Sequence, residues 1–187
     1  MYAGIDYSMT CPAIFVGDKK DFNKGKSFFY YLPKSKRDTF DGLHGSNING
    51  RDQKNKNTFT TDISRFLSIA EWAIEILNIY KVKHVCLEGY AMGAKGKIFN
   101  IAENTALLKL KMFESGITYI TPSPNEIKKW FTGKGNAKKI DMHDRFETLT
   151  TVSISDIMKK DSDSSPVSDI VDSYAMFLYA MEHFNND

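Results

Sequence analysis

Four acidic residues lie in surroundings that are otherwise apolar or that begin a helix. Asp6 lies in the middle of the apolar stretch GIDYS, and Glu88 ends the stretch VKHVCLE. Asp169 and Asp172 are three residues apart in SDIVDSYAM, on one face at the start of the last predicted helix. A buried ionised carboxylate is costly unless it is paired or bound to a metal. The four acids together therefore suggest a carboxylate metal site.

Each acid taken alone has a simpler explanation. A lone Asp in a strand can be a hydrogen-bonded structural residue, and an acid at a strand end is often only solvated. Acids in the first turn of a helix interact favourably with the helix dipole, by about 0.3–1 kcal/mol each. These explanations weaken if all four side chains converge, because carboxylates at short range repel each other unless a cation lies between them.

A converging set of carboxylates favours a hard divalent cation such as Mg²⁺, which takes oxygen ligands. Two such ions about 3.5–4 Å apart can support an in-line phosphoryl displacement, in which one activates water and the other stabilises the leaving oxygen. The chain has no Cys and His spacing typical of zinc sites, and its four histidines are scattered. The predicted chemistry is therefore metal-assisted phosphoryl displacement.

The hydrophobic pattern predicts the elements that would bring these acids together. Three leading strands with short links are typical of an antiparallel meander, and two later strands alternate with helices, as parallel strands with right-handed crossovers do. The predicted fold is α/β, a five-stranded mixed sheet flanked by helices, in one domain over residues 1–187. If the first and fourth strands are neighbours, the last helix carries its two acids over Asp6 and Glu88. The predicted strands are MYAGIDYS, PAIFVGD, SFFYYLP, VKHVCLEGY and GITYITP.

Composition and charge place the chain among ordinary globular proteins. It has 187 residues, 42% of them hydrophobic, and a formal net charge of +2. Basic residues concentrate in Lys19–Lys56 and Lys128–Lys139, which suits a polyanion-binding surface and equally suits solvated loops. Two cysteines do not make a disulfide framework, and no apolar run is long enough to span a bilayer. We therefore expect a cytoplasmic protein without a membrane association.

A long polar segment follows the third predicted strand, from Lys34 to Asn57. It is rich in Asn, Gly, Lys and Asp, and a structureless loop of this length is unusual inside a compact domain. We expect this insert to be mobile without DNA and to contact the phosphates of duplex arms through its lysines and arginines.

Several motifs together resemble a known family. The stretches GIDYS, CLEGYAMG, PNEIKKWFTGKGNAKK and SDIVDSYAM have the order and spacing of RuvC-type Holliday junction resolvases, within the RNase H-like (retroviral integrase) superfamily. The sequence looks like a phage or viral member, and the resemblance runs from Gly4 to Ala175 apart from the insert. Its most specific part is the Gly-x-Gly-x-Ala-x-Lys pattern within residues 125–139.

The resemblance implies a function. Members of this family are homodimeric, Mg²⁺-dependent endonucleases, with two ions per active site for which Mn²⁺ could substitute. They nick two strands of a four-way junction symmetrically and leave 5′-phosphate and 3′-hydroxyl ends, and phage relatives also cut other branched DNA. The chain would act in a cytoplasm, or at a viral replication site if it is viral.

The resemblance also assigns roles to residues. Lys128 and Lys139 match functional lysines near the scissile phosphate, and Lys134 and Lys138 are additional basic residues expected to bind DNA. Tyr90 is the nearest aromatic residue to the place where members often read Glu-Gln-x-Phe, and it is expected to contact DNA. The residues that match the metal-binding acids are Asp6, Glu88, Asp169 and Asp172, the third of which stands where some members have His.

The predicted helix from Ile98 to Glu114 carries more apolar surface than one sheet face needs. We expect it to form a two-fold interface between two copies of the chain. One apolar stripe on it consists of Ile98, Ile101, Ala102 and Thr105, and further apolar residues are Leu107, Leu108, Leu110 and Met112.

Three other functions are compatible with parts of the sequence. An RNA–DNA hybrid ribonuclease of the same superfold would need neither a dimer helix nor the basic Gly-Lys-Gly turn. A junction-binding module without catalysis would not need all four acids. A sugar-kinase-like ATPase would require a second matching half, and the chain has no phosphate loop of the Gly-x-x-x-x-Gly-Lys-Ser/Thr type.

Overall fold

The computed structural model describes residues 1–34, 39–53, 59–90 and 98–185. Its centre is a mixed sheet of seven strands in the order β4-β5-β3-β2-β1-β6-β7. The strands are β1 (Tyr2–Asp6), β2 (Ala13–Gly17), β3 (Lys26–Tyr31), β4 (Gly42–His44), β5 (Ile48–Asp52), β6 (His84–Leu87) and β7 (Thr118–Ile120). The helices are α1 (Asp62–Ile79), α2 (Ile98–Glu114), α3 (Pro124–Thr132), α4 (Lys139–Thr150), α5 (Ile154–Met158) and α6 (Val167–Asn185), and a short 3₁₀ turn covers Phe22–Lys24.

The pairing of the central strands agrees with the prediction from sequence. Strands β1, β2 and β3 form an antiparallel meander, and β6 and β7 continue the sheet in parallel with β1. The first and fourth predicted strands, β1 and β6, are neighbours, with Ile5 opposite Leu87. The α/β class and the helices on both faces are therefore confirmed.

The predicted number of five strands is wrong, because the polar insert contributes two more. Strand β5 pairs in parallel with β3, and β4 pairs with β5 at the outer edge, so β3 is not an edge strand. The sequence INGRD of β5 has only one strong strand former; its conformation comes from tertiary pairing rather than intrinsic preference. Gly50 lies against the Phe40 carbonyl, where a β-carbon would not fit. The insert's Lys36, Arg37, Lys54 and Lys56 lie outside the described residues.

Helices cover both faces of the sheet. Helices α1 and α2 pack on the face formed by Ala3 and Ile5, and α3 to α6 pack on the opposite face. Because side chains alternate along a strand, Gly4 and Asp6 face α6. The short helix α5 lies in the Ser-rich and Asp-rich segment that precedes α6. No helix in the described ranges is long and apolar enough to cross a membrane.

Helix α2 is apolar on two sides, but its exposed face differs from the predicted stripe. Thr105, Leu108 and Met112 are buried against the rest of the domain. The most exposed apolar side chains are Phe99 at 80% and Phe113 at 79%, neither of which was in the predicted stripe. With Ala102, Ala106 and Leu110 they recur at helical spacing, and this set is called the outer stripe below.

Candidate active site

Two of the four acids meet at the carboxyl ends of adjacent parallel strands. Strand β1 ends at Asp6, and Glu88 directly follows β6. The backbone N–H of Glu88 donates to the Ile5 carbonyl at 3.2 Å, which extends the pairing to the acid itself. Gly89 then donates to the Pro122 carbonyl at 2.9 Å, and this bond fixes the chain on the other side of Glu88.

Helix α6 adds the other two acids because it lies directly on β1. A β-carbon at Gly4 would overlap the backbone carbonyl of Ser173, so only glycine allows this close approach. Asp169 and Asp172 precede Ser173 on the helix, and they lie beside Asp6 at the end of the strand. The structure therefore brings together all four acids singled out in the sequence.

The environment of the acids opposes their ionisation. Burial, followed by the charges of Glu88, Asp169 and Asp172, raises the pKa of Asp6 well above its usual range. Burial likewise raises the pKa of Glu88, against the lowering effect of the Lys128 ammonium. Burial and the neighbouring carboxylates raise the pKa of Asp172 to about 7. These carboxylates are desolvated and mutually repelling, which is unfavourable unless a cation compensates.

The donor set fits a hard divalent cation. Asp169 is buried, and its Oδ2 has no hydrogen-bond partner among the described residues. All four ligand candidates are carboxylates, which suits Mg²⁺ or a similar ion and not zinc. In the part of the chain that the structure describes, no three His, Cys, Asp or Glu side chains are already arranged as a metal shell. A cation would have to draw the carboxylates inward.

Two lysines predicted from the sequence lie beside the acids. Lys128, on α3, is half-buried, and its charge lowers the pKa of both Glu88 and Asp172. Lys139, the first residue of α4, also lowers the pKa of Asp172. Its Nζ donates to the Ser168 hydroxyl at 3.1 Å, and Ser168 is next to Asp169 on α6. The positive charges therefore flank the carboxylates from two separate helices.

The other predicted DNA-binding residues lie farther out. Lys134 lies in the turn after α3 and Lys138 caps the start of α4; both are exposed, and neither contributes to the raised pKa values of Asp6, Glu88 and Asp172. Tyr90 is 44% exposed, and the Lys109 Nζ lies 5.2 Å from its ring centroid. Tyr90 and Glu88 also line a cavity of about 200 Å³. Residues 91–97, with the sequence AMGAKGK, lie outside the described residues.

Two contacts of the site could not be read from the sequence. Ser168 and the Asp163 carbonyl, 3.0 Å from the Lys139 Nζ, orient that lysine. Cys11 is buried beside the acids; burial, followed by the charge of Asp169, raises the pKa of its thiol well above its usual range. Serines are common in this segment, and a cysteine after a strand gives no local sign of a neighbouring carboxylate.

Comparisons with known proteins identify the fold. Neither a protein-family model nor a curated protein matches this chain. The structure of Thermus thermophilus RuvC superposes with a TM-score of 0.60 at 17% identity, over 99% of this chain and 96% of that one. The structure of the same protein in complex with Holliday junction substrate superposes with a TM-score of 0.62 at 17% identity, over 97% of this chain and 95% of that one. The structure of Fowlpox virus resolvase with substrate Holliday junction DNA superposes with a TM-score of 0.49 at 16% identity, over 98% of this chain and 97% of that one.

This similarity extends over nearly the whole length of each RuvC chain. The chain therefore has the RuvC fold, as the motifs predicted.

Proposed function

We propose that this chain is a metal-dependent endonuclease that resolves four-way DNA junctions and nicks other branched DNA. The observation that carries the proposal is the convergence of four carboxylates from β1, β6 and α6 between two lysines. The RuvC fold supports the same reaction, since one of the similar structures holds a Holliday junction substrate.

The four carboxylates would hold two Mg²⁺ ions, which when bound supply activation of water and stabilisation of the leaving oxygen. Asp6 and Glu88 provide the floor of the site from the sheet, and Asp169 and Asp172 close it from the helix. Because burial disfavours the charged forms of Asp6, Glu88 and Asp172, these three residues give up little hydration when they bind a cation.

The two lysines would act on the DNA rather than on the metal. The Lys128 and Lys139 ammonium groups lie close enough to the carboxylates to shift the pKa of Asp172. A phosphate bound over the acids would therefore lie within reach of both. Positive charge placed beforehand beside the reacting phosphate stabilises the negative charge that develops there. Lys134, Lys138 and Tyr90 are exposed and would bind the flanking DNA.

We further propose that the functional form is a homodimer joined through α2. Paired nicks on one junction need two active sites on one particle. The outer stripe exposes Phe99 and Phe113 almost fully, together with Leu110 at 54%. An apolar face of this kind on a helix is typical of a protein interface, and a two-fold contact would cover it in both copies.

A substrate panel tests the proposal. The protein is incubated with Mg²⁺ and a labelled four-way junction, a Y-fork, an RNA–DNA hybrid and a linear duplex, and the nicks are mapped. The proposal predicts symmetric nicks near the branch point of the junction and none in the linear duplex. Preferential cleavage of the hybrid would instead identify the ribonuclease, and binding without cleavage would identify a junction-binding module.

A further inference from the structure

A second cavity of about 490 Å³ is formed by the loop after β1, the end of β3 and the segment before α6. Its walls include Tyr31, Leu32 and Pro33, which are apolar or aromatic. Two lysines, Lys34 and Lys160, are exposed at its rim. A concave site with apolar walls and a few cationic groups suits a ligand that has a flat ring and a phosphate, and its volume is within the range of small-molecule sites.

The cavity adjoins the proposed catalytic centre through two shared segments. Cys11 lines the cavity, and the charges of Asp169 and Asp6 act on its thiol. Ser164 also lines it, and Ser164 accepts the backbone N–H of Ser168 at 3.0 Å in the first turn of α6. Only the Cys11 side chain therefore separates this part of the cavity from the carboxylates of Asp6 and Asp169. A DNA strand bound with a phosphate over the acids would place its next nucleotide near this opening.

The polar insert holds one wall of this cavity in place. Gln53, which directly follows β5, donates from Nε2 to the Tyr30 carbonyl at 2.9 Å and approaches the Thr10 carbonyl at 3.5 Å. Its backbone N–H donates to the Tyr31 carbonyl at 2.6 Å. Leu32 in turn donates to the Thr10 carbonyl at 2.7 Å. The β4–β5 hairpin thus fixes the end of β3 and the loop after β1, which together form the wall.

We propose that this cavity accepts the nucleotide next to the scissile phosphate, with its base unstacked. The base would lie against Tyr31, Leu32 and Pro33, and the Lys34 and Lys160 ammonium groups would bind the phosphate that follows. This inference rests on the proposed endonuclease function and adds a subsite that selects the base beside the nick. Four-way junctions suit such a subsite, because bases at a branch point cost less to unstack than bases inside a duplex.

Abasic substitution tests the subsite directly in the wild-type protein. Each nucleotide within two positions of the mapped nick is replaced in turn by an abasic residue, and single-turnover nicking is measured. We expect one position to slow the reaction about tenfold, because the contacts of its base are lost. If no position slows it by more than about twofold, the cavity binds no base and the inference is overturned. A protein that nicks no unmodified junction contradicts the proposed function itself, so the two failures are distinguishable.

Two variants connect the abasic effect to this cavity. Leu32→Trp fills it, and nicking of the intact junction should slow by the same factor while the abasic penalty disappears. Thr10→Tyr narrows the opening of the cavity from an exposed position. It should have the same effect on both junctions, and it replaces Leu32→Trp if that variant is too unstable to assay. Lys160→Ala should slow intact and abasic junctions alike. The control is Lys19→Ala, because Lys19 is exposed at the opposite end of the sheet. This variant should nick both junctions at the wild-type rate. An unchanged abasic penalty in both cavity variants overturns the assignment.

Discussion

Gly4 lies directly against the backbone of Ser173, and a β-carbon at position 4 would overlap the Ser173 carbonyl oxygen. This contact sets the height of α6 above β1. Asp6 is two residues along the same face of the strand, and Asp172 immediately precedes Ser173 on the helix. The distance between strand acids and helix acids therefore depends on the absence of a side chain at Gly4.

Replacing Gly4 with alanine should displace α6 and separate the two pairs of acids. Overpacking of a buried site costs roughly 1–3 kcal/mol, and backbone atoms cannot move aside as a side chain can. We expect Gly4→Ala to lower the free energy of unfolding by at least that amount and to abolish nicking. The control is Gly17→Ala, where the new β-carbon meets the Phe177 ring at 3.1 Å. Denaturant unfolding should show a smaller loss for the control, and equal losses would contradict this explanation.

The lysines beside the acids should affect cleavage more than binding. Lys128→Ala and Lys139→Ala each remove a charge that acts on Asp172, and we expect single-turnover rates to fall roughly a hundredfold. Lys134→Ala removes an exposed charge outside the acid cluster. It should chiefly weaken junction binding and reduce the slope of log K against log salt by about one.

The neighbouring Lys129, which is exposed on the same helix as Lys128, provides the matched control. Lys129→Ala should leave the cleavage rate close to that of the wild type. Small and equal effects for all four alanine variants would mean that these lysines are only solvated surface residues.

Stability without metal should fall as the pH rises. The pKa of Asp172 is about 7 in the folded protein and near 3.8 when exposed, and the pKa of Asp6 and of Glu88 is raised in the same direction. Between these two pKa values the unfolded chain binds fewer protons than the folded one. The contribution of these acids to the free energy of unfolding is therefore fully present below about pH 4 and is lost as the pH rises towards 7.

Thermal melting of the metal-free protein at about pH 5 and pH 8 checks this expectation. Asp172→Asn should melt higher than the wild type at the upper pH, by roughly 2–4 °C for each kcal/mol of relieved burial cost and repulsion, and by a smaller margin at the lower pH. Mg²⁺ should raise the melting temperature of the wild type and have less effect on the variant. Identical pH dependence in both proteins would exclude Asp172 as a source of this instability.

The sequence predicted the positions of the four acids better than it predicted the edge of the sheet. Asp6 and Glu88 could be placed together because the strands that carry them are strongly apolar and their order follows from simple connection rules. The strand Ile48–Asp52 could not be predicted, because its residues are poor strand formers and its conformation depends on pairing with β3. The role of Ser168 depends on a contact with Lys139, 29 residues away, and has no local signal.

The proposed dimer interface is a similar case, since periodicity predicted the helix α2 but not which of its sides is exposed. Ile101 belongs to the predicted stripe, but it lines the cavity beside Glu88, so Ile101→Glu would test the active site as well as assembly. Leu110→Glu, on the outer stripe, is the cleaner change. We expect it to convert the protein to monomers in sedimentation velocity and to weaken junction binding.

Leu43→Glu is the control for this change, since Leu43 is 62% exposed on β4 at the far edge of the sheet. It should sediment like the wild type. A monomeric wild-type protein, with or without junction DNA, would refute the proposed dimer.

The most direct test of the central claim is single-turnover nicking of a four-way junction in Mg²⁺, measured beside junction affinity for the carboxylate variants. Asp6→Asn, Glu88→Gln and Asp172→Asn should each abolish nicking and bind the junction as well as the wild type or more tightly, because removing a negative charge lowers repulsion with phosphates. Asp169→Asn should also nick more slowly than the wild type, but it should keep more activity than the other three variants. Wild-type nicking rates in the first three variants would contradict a metal-binding role for these acids and the proposed mechanism with it.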